Sequence, residues 1–164
     1  MKKTGWWGAV IALGSLLGFD PARLAELVIG VSTEADVRAR FGPPEYVWPG
    51  EDGARIFEYN RQPAGHVNYM ITLDAQGRVS RVEQVLTPGN LAQVQPGQSM
   101  ETVRRRLGKP AKTMAYALAH EVHHDWRYLE RPNTAMLFTV VFSPDYVVLR
   151  TETRPDPGTE DYRS

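Results

Sequence analysis

Gly30-Val31-Ser32-Thr33-Glu34-Ala35-Asp36-Val37-Arg38-Ala39-Arg40-Phe41-Gly42-Pro43-Pro44 returns further along the chain as Gly97-Gln98-Ser99-Met100-Glu101-Thr102-Val103-Arg104-Arg105-Arg106-Leu107-Gly108-Lys109-Pro110. In each copy a Ser or Thr able to cap a helix precedes an apolar pair four residues apart, Val37 with Phe41 and Val103 with Leu107. Residues at that spacing share one helix face. Gly42 or Gly108 ends the helix, and Pro44 or Pro110 prevents its continuation. Asp36, three residues beyond Thr33, has the spacing of a capping box. Each copy then runs into an aromatic strand, Ile56-Phe57-Glu58-Tyr59 or Asp125-Trp126-Arg127-Tyr128. The repeat distance is 66 residues from Gly42 to Gly108 and 69 from Tyr59 to Tyr128, the unevenness that loop-length differences between duplicated units produce.

Working outward, His66 to Leu73 is long enough for a strand, and Asp74-Ala75-Gln76-Gly77-Arg78 reads as a turn. Val79 to Val85 alternates imperfectly, which predicts one register irregularity. The second copy offers strands over Val122 to Leu129, Ala135 to Phe142 and Tyr146 to Thr153, with a turn at Ser143-Pro144-Asp145. No crossover helix separates these strands, so they are expected to meander antiparallel. The expected fold class is α+β, two tandem units of a helix plus a three-stranded antiparallel sheet, over 20–88 and 89–154. Residues 155–164 read as a flexible tail. A unit of roughly 65 residues holds little core of its own, so the copies are expected to share or stack their sheets.

The amino-terminal residues are of another kind. Lys2 and Lys3 precede an uncharged 14-residue stretch from Trp6 to Phe19, rich in Ala, Gly and Leu. Residues 1–19 therefore read as an export signal, against a buried amino-terminal helix as the alternative. The stretch is short for a membrane span, which wants about 20 residues. Leu16-Leu17-Gly18-Phe19-Asp20 has the form of a bacterial lipoprotein signal, except that Phe19 stands where the lipidated cysteine belongs. Without a thiol no thioether-linked lipid forms. Either the natural sequence has lost its anchor or a cysteine was replaced. The unlipidated product stays tethered by its apolar start or is cleaved at a weak site such as Ala12-Leu13-Gly14.

The chain carries 19 basic and 19 acidic residues and no cysteine. That balance gives no electrostatic case for nucleic acid, which needs a concentrated basic face. Arg104-Arg105-Arg106 reads as the wet side of a helix, with an acidic partner or acidic phospholipid as the functional alternative. Thiolate chemistry and disulfides are excluded. His120-Glu121-Val122-His123-His124 matches the letters of a zinc-hydrolase motif, whose mechanism needs both terminal histidines on one helix face. Here the run leads into the Trp126 strand. In a strand, positions 120 and 124 stand roughly 13 Å apart. A polar strand entry is therefore expected, with no metal, cofactor or catalytic residue assigned. No phosphate-cradling glycine loop or activated-serine motif appears, so a small-molecule substrate is not expected.

Taken together, Gly30 with Ser32, Val37, Phe41-Gly42-x-Pro44, Tyr59 and the Val67–Leu73 strand leading to Asp74-x-x-Gly77-Arg78-Val79 resemble the small domain of the BamE/SmpA/OmlA outer-membrane lipoproteins. Gly97, Ser99, Val103, Leu107-Gly108-x-Pro110 and Trp126-x-Tyr128 extend that resemblance to the second copy. The tandem layout is also similar to that of the β-lactamase inhibitory proteins. The first resemblance implies a non-catalytic, protein-binding role at the periplasmic face of the cell envelope, attached to the outer membrane through the amino terminus, in barrel-protein assembly and envelope integrity. The barrel-assembly machinery is the partner this implies. The second implies an inhibitor that clasps an enzyme such as a β-lactamase. The missing cysteine, the duplication and Asp20 depart from the family pattern; in some bacteria an acidic residue at that place holds a lipoprotein in the inner membrane. Tyr46, Trp48 and Tyr116, in stretches read as loops between helix and first strand, are the candidate protein-binding residues, because Tyr and Trp anchor interfaces.

Overall fold

The computed structural model describes residues 21–158; the export-signal reading, Asp20 and the last part of the expected tail lie outside them. Each unit is a single helical turn and an eight-residue helix followed by four antiparallel strands. The first unit comprises α1 (Pro21–Leu24), α2 (Glu34–Phe41), β1 (Tyr46–Pro49), β2 (Arg55–Asn60), β3 (Asn68–Leu73) and β4 (Val79–Gln84). The second comprises α3 (Pro88–Leu91), α4 (Met100–Leu107), β5 (Lys112–Tyr116), β6 (Glu121–Glu130), β7 (Thr134–Phe142) and β8 (Val148–Pro155). Both sheets run in simple sequence order, β1-β2-β3-β4 and β5-β6-β7-β8.

The fold class is α+β with two tandem units, but each sheet has four strands where three were expected. The additional strands, β1 and β5, occupy the stretches read as loops. They are edge strands, paired on one side only. Such a strand needs neither a continuous apolar run nor strict alternation, so its sequence carries little signature.

Local sequence signals account for the helix ends. Thr33 accepts from the Asp36 backbone amide while the Asp36 carboxylate accepts from the Thr33 amide at 2.8 Å, completing the capping box. Ser99 caps α4 through Thr102. The Asp74 carboxylate accepts from the amides of Gln76 and Arg78 and so closes the β3–β4 turn. The expected irregularity is a bulge at Ser80, between the pairs Leu73–Val79 and Thr72–Arg81. Leu149 repeats it between Phe142–Val148 and Val141–Arg150.

Equivalent hydrogen bonds in the two units make one change to the motif alignment. Tyr59 donates its hydroxyl proton to Gly42 O at 3.0 Å, and Trp126 donates Nε1–H to Gly108 O at 3.0 Å. Trp126, not Tyr128, is therefore the counterpart of Tyr59. By the same register Phe57 corresponds to His124 and Glu58 to Asp125. The central strands β6 and β7 of the second unit are longer than β2 and β3, and the turn between them is shorter.

Alternation along β2 and β3 divides the first sheet into two covered faces. Phe57, Tyr59, Tyr69, Ile71 and Leu73 pack with Val37 and Phe41 of α2. On the opposite face Trp48 and Met70 join Val103 and Leu107 of α4, which in turn meet Trp126, Phe138, Val140 and Phe142 of the second sheet. Four layers result, in the order α2, first sheet, α4, second sheet. Val103 and Leu107 are fully buried because sheets lie on both sides of them, and each such side chain contributes roughly 1.5–3 kcal/mol.

Pro155 and Asp156, expected in the tail, are held in place, the first as the end of β8. Asp156 sits against the Arg127 guanidinium at 2.6 Å and His66 Nε2 at 3.2 Å, with its side chain almost wholly buried. Arg127 also donates to Pro63 O, and Gln62 bonds the Arg127 backbone, so the β2–β3 loop of the first unit is fastened to the second sheet.

Candidate protein-binding groove between the units

The geometry of the groove is set by a buried polar hub. Glu58, on the α4 side of β2, is fully buried. Its carboxylate accepts from Trp48 Nε1 (2.8 Å), Arg104 (2.5 Å), the Lys109 amide (2.9 Å) and Asn60 Nδ2 (2.6 Å). Asn68, equally buried, donates to Leu107 O at 2.8 Å and Lys109 O at 3.0 Å. The first unit's sheet thus satisfies carbonyls at the carboxyl end of the second unit's helix, which otherwise lack partners. Outside this hub Lys109 Nζ meets Glu45 at 2.6 Å, an exposed pair that contributes little.

Beside the hub, α4 covers only part of the first sheet. The uncovered part forms two contiguous hollows of about 460 and about 760 Å³, which share Ile56, Thr72, Arg81 and Arg105. Ile56, Met70 and Val85 supply the apolar floor. Arg81 stands on the β4 wall, paired with Glu83 at 2.5 Å, while Arg105 and Arg106 stand on the α4 wall. Arg105 donates to Pro49 O at 2.6 Å and lies 5.6 Å from the Trp48 ring centroid. Arg106 donates to Gln93 Oε1, and its buried Nε meets no acceptor among the described residues.

The triple arginine is therefore more than a solvated helix side: each member reaches a residue outside α4. Sequence reasoning missed Arg81 and the junction role of Arg104. The one available signal was the repeat itself, which sets Arg105 where the first copy has Ala39.

The aromatic candidates separate. Trp48 is 9% exposed, its indole N–H held by Glu58, so the exposure expected for it is not found. Tyr46 is 49% exposed on edge strand β1, its ring 4.2 Å from that of Trp48. Tyr116 is 42% exposed at the end of β5, 4.5 Å from the His123 ring. Tyr46 and Tyr116 belong to different sheets, and α4 packs between those sheets.

The histidine run is a turn and a strand entry. His120 has φ of 52° in the β5–β6 turn, and β6 begins at Glu121, so the helix that a zinc-hydrolase mechanism requires is not formed. Among the described residues no group of three His, Asp or Glu side chains is arranged to hold a metal ion. Arg150 and then His123 hold the Glu121 carboxyl down to about 2.

His124 points into the core, against Phe142 and Trp126, and its Nδ1 has no hydrogen-bond partner among the described residues. Burial, aided by the Arg104 charge, lowers its pKa to about 4. The unfolded chain protonates this ring near 6.5, so folding stability is intact above that pH and falls between pH 6.5 and 4. At 1.36 kcal/mol per unit the loss reaches about 3 kcal/mol. His124→Phe installs the residue that the first unit has at this place, Phe57. Urea denaturation at a series of pH values is expected to show the decline flattened in the variant; an equal decline in both proteins would assign the acid sensitivity elsewhere.

No family model matches the chain, and no curated protein matches it. Among solved structures it is similar to YjgB, a DUF4309 family protein from Bacillus subtilis, at 21% identity over 79% of this chain and 82% of that one, with a TM-score of 0.31. A superposition that loose carries no argument about fold or function. No helix among the described residues is long and apolar enough to cross a membrane.

Proposed function

We propose that the chain is a non-catalytic protein-binding module of the cell envelope, working in outer-membrane protein assembly or envelope integrity. The observation that carries the binding role is the groove between β4 and α4. It needs both units, its width is set by the buried Glu58 and Asn68 contacts, and it joins an apolar floor to polar walls. Protein interfaces are built from that combination. Fixed walls also lower the ordering cost of association. The envelope placement rests on the export-signal reading of residues 1–19 and on the BamE-like motifs. The outer membrane is the site this favours, and Asp20 makes the inner membrane the alternative.

The test is capture of partners from detergent-solubilised envelopes by the full chain, with Thr102→Trp as a steric plug on the exposed α4 wall. Recovery of barrel-assembly components by the parent chain, and their loss with the plugged one, is the expected result. Selective recovery of a β-lactamase or another single enzyme would replace the assembly reading with the inhibitor reading. Equal recovery by both chains would remove the groove as the contact.

A further inference from the structure

The groove is charged in a chain that is not. Acidic and basic residues balance over the whole sequence, yet Arg81, Arg105 and Arg106 line the smaller hollow of the groove against one carboxylate, Glu83. That carboxylate is already held by Arg81. The larger hollow sets Arg81 and Arg105 against one further carboxylate, Glu51, which lies beside Pro49 and Gly50. We infer that the groove receives an acidic, extended segment of the partner protein, its carboxylates on the three arginines and an apolar side chain on Ile56, Met70 and Val85. The inference rests on the protein-binding reading above and adds the chemistry of the partner.

The donors for such a segment are in place. A guanidinium carries five N–H groups in a planar fork that matches a carboxylate. Arg105 gives one of them to Pro49 O and Arg106 gives one to Gln93 Oε1. Arg81 is well exposed, and among the described residues its ion-pair partner is Glu83. Between the arginines, Thr72, Thr102, Asn90 and Gln93 place hydroxyl and amide groups along the walls. Those groups suit the N–H and C=O of a peptide backbone, which a compact anion does not possess. The floor is recessed between β4 and α4, where a flat bilayer cannot reach it. Arginine clusters are a recurrent device for acidic motifs, and the apolar floor restricts the choice to segments that also carry an anchor side chain.

The experiment titrates the full chain, held in phosphatidylcholine nanodiscs, with a short labelled peptide of aspartates interrupted by leucine. Its asparagine analogue, its alanine-for-leucine analogue, inorganic phosphate and phosphatidylglycerol vesicles serve as comparisons. Saturable binding of the acidic peptide is expected, with Kd raised at least about tenfold by Arg81→Glu and by Arg105→Glu combined with Arg106→Glu. Arg131→Glu, on the distant β6–β7 hairpin, is expected to leave Kd unchanged, and binding should weaken as salt is added. Thermal melts by circular dichroism identify any variant that fails to fold; Arg81→Glu disturbs only the Glu83 pair and carries the test alone if the double variant unfolds. Equal affinity in all variants, or preference for phosphate or vesicles over the peptide, overturns the inference. If Arg81→Glu captures partners from envelopes as well as the parent does, the acidic-segment inference fails and protein binding stands. If the parent chain captures nothing, the protein-binding reading itself fails.

Discussion

Glu58→Ala is expected to cost about 3–5 kcal/mol, the range for breaking a buried ion pair by removing one partner. The alanine leaves the Trp48 indole N–H, the Lys109 amide and the Arg104 guanidinium without their common acceptor. The Arg104 side chain keeps 23% of its surface exposed and recovers part of its hydration, which places the loss toward the lower end. For a chain of this length the corresponding fall in Tm is about 10 °C. Glu58→Gln keeps an acceptor for Trp48 but not the charge, and is expected to fall between the two. A cycle with Arg104→Ala separates the ion pair from the other three bonds. Urea midpoints give the answer: a loss under about 1 kcal/mol would mean that this carboxylate does not hold the units together.

Gly108→Ala is the second large effect, and Gly42→Ala is its internal control. Both glycines end a helix at φ 76° with ψ of −171° and −166°, a region reached almost only by glycine. That conformation costs an alanine about 1–3 kcal/mol at either site. Around Gly42 an added methyl group meets nothing within 4 Å. At Gly108 it would lie 2.7 Å from Asn60 Oδ1 and 2.9 Å from Asn68 Nδ2. Asn68 cannot withdraw without giving up its bonds to Leu107 O and Lys109 O. Overpacking of that kind adds about 1–3 kcal/mol. Gly108→Ala should therefore unfold at clearly lower urea than Gly42→Ala; coincident midpoints would show that the junction yields freely.

These two glycines also show what a sequence of this kind discloses. Both helix ends, the capping residues and the buried pairs were readable because each depends on neighbours within four positions. The duplication was readable because the same local devices occur twice. Trp48 shows the opposite case. Its strand is short, stops at Pro49 and pairs on one side, so it resembled a loop, and its burial depends on α4, more than fifty residues onward. Glu58 was equally opaque: a glutamate within an alternating strand reads as a solvent-facing residue until another unit's helix is laid over it. The groove escaped detection for the same reason, since Arg81 and Arg105 come from different units and no local spacing relates them. Tyr128 misled through likeness of letters, and only the hydrogen bonds to Gly42 and Gly108 identified Trp126 as the counterpart of Tyr59.

The interleaved order of layers bears on how the chain comes into being. The first unit is synthesised with one sheet face still bare, because the helix that covers it belongs to the second unit and the Glu58–Arg104 contact spans 46 residues. As the chain emerges amino end first from a ribosome or an export channel, Trp48, Ile56 and Met70 face water until Val103 and Leu107 arrive. Throughout that interval the sheet is sticky and needs either speed or a chaperone. Dividing the finished molecule between the units would strip that face of its cover and α4 of one of its two sheets.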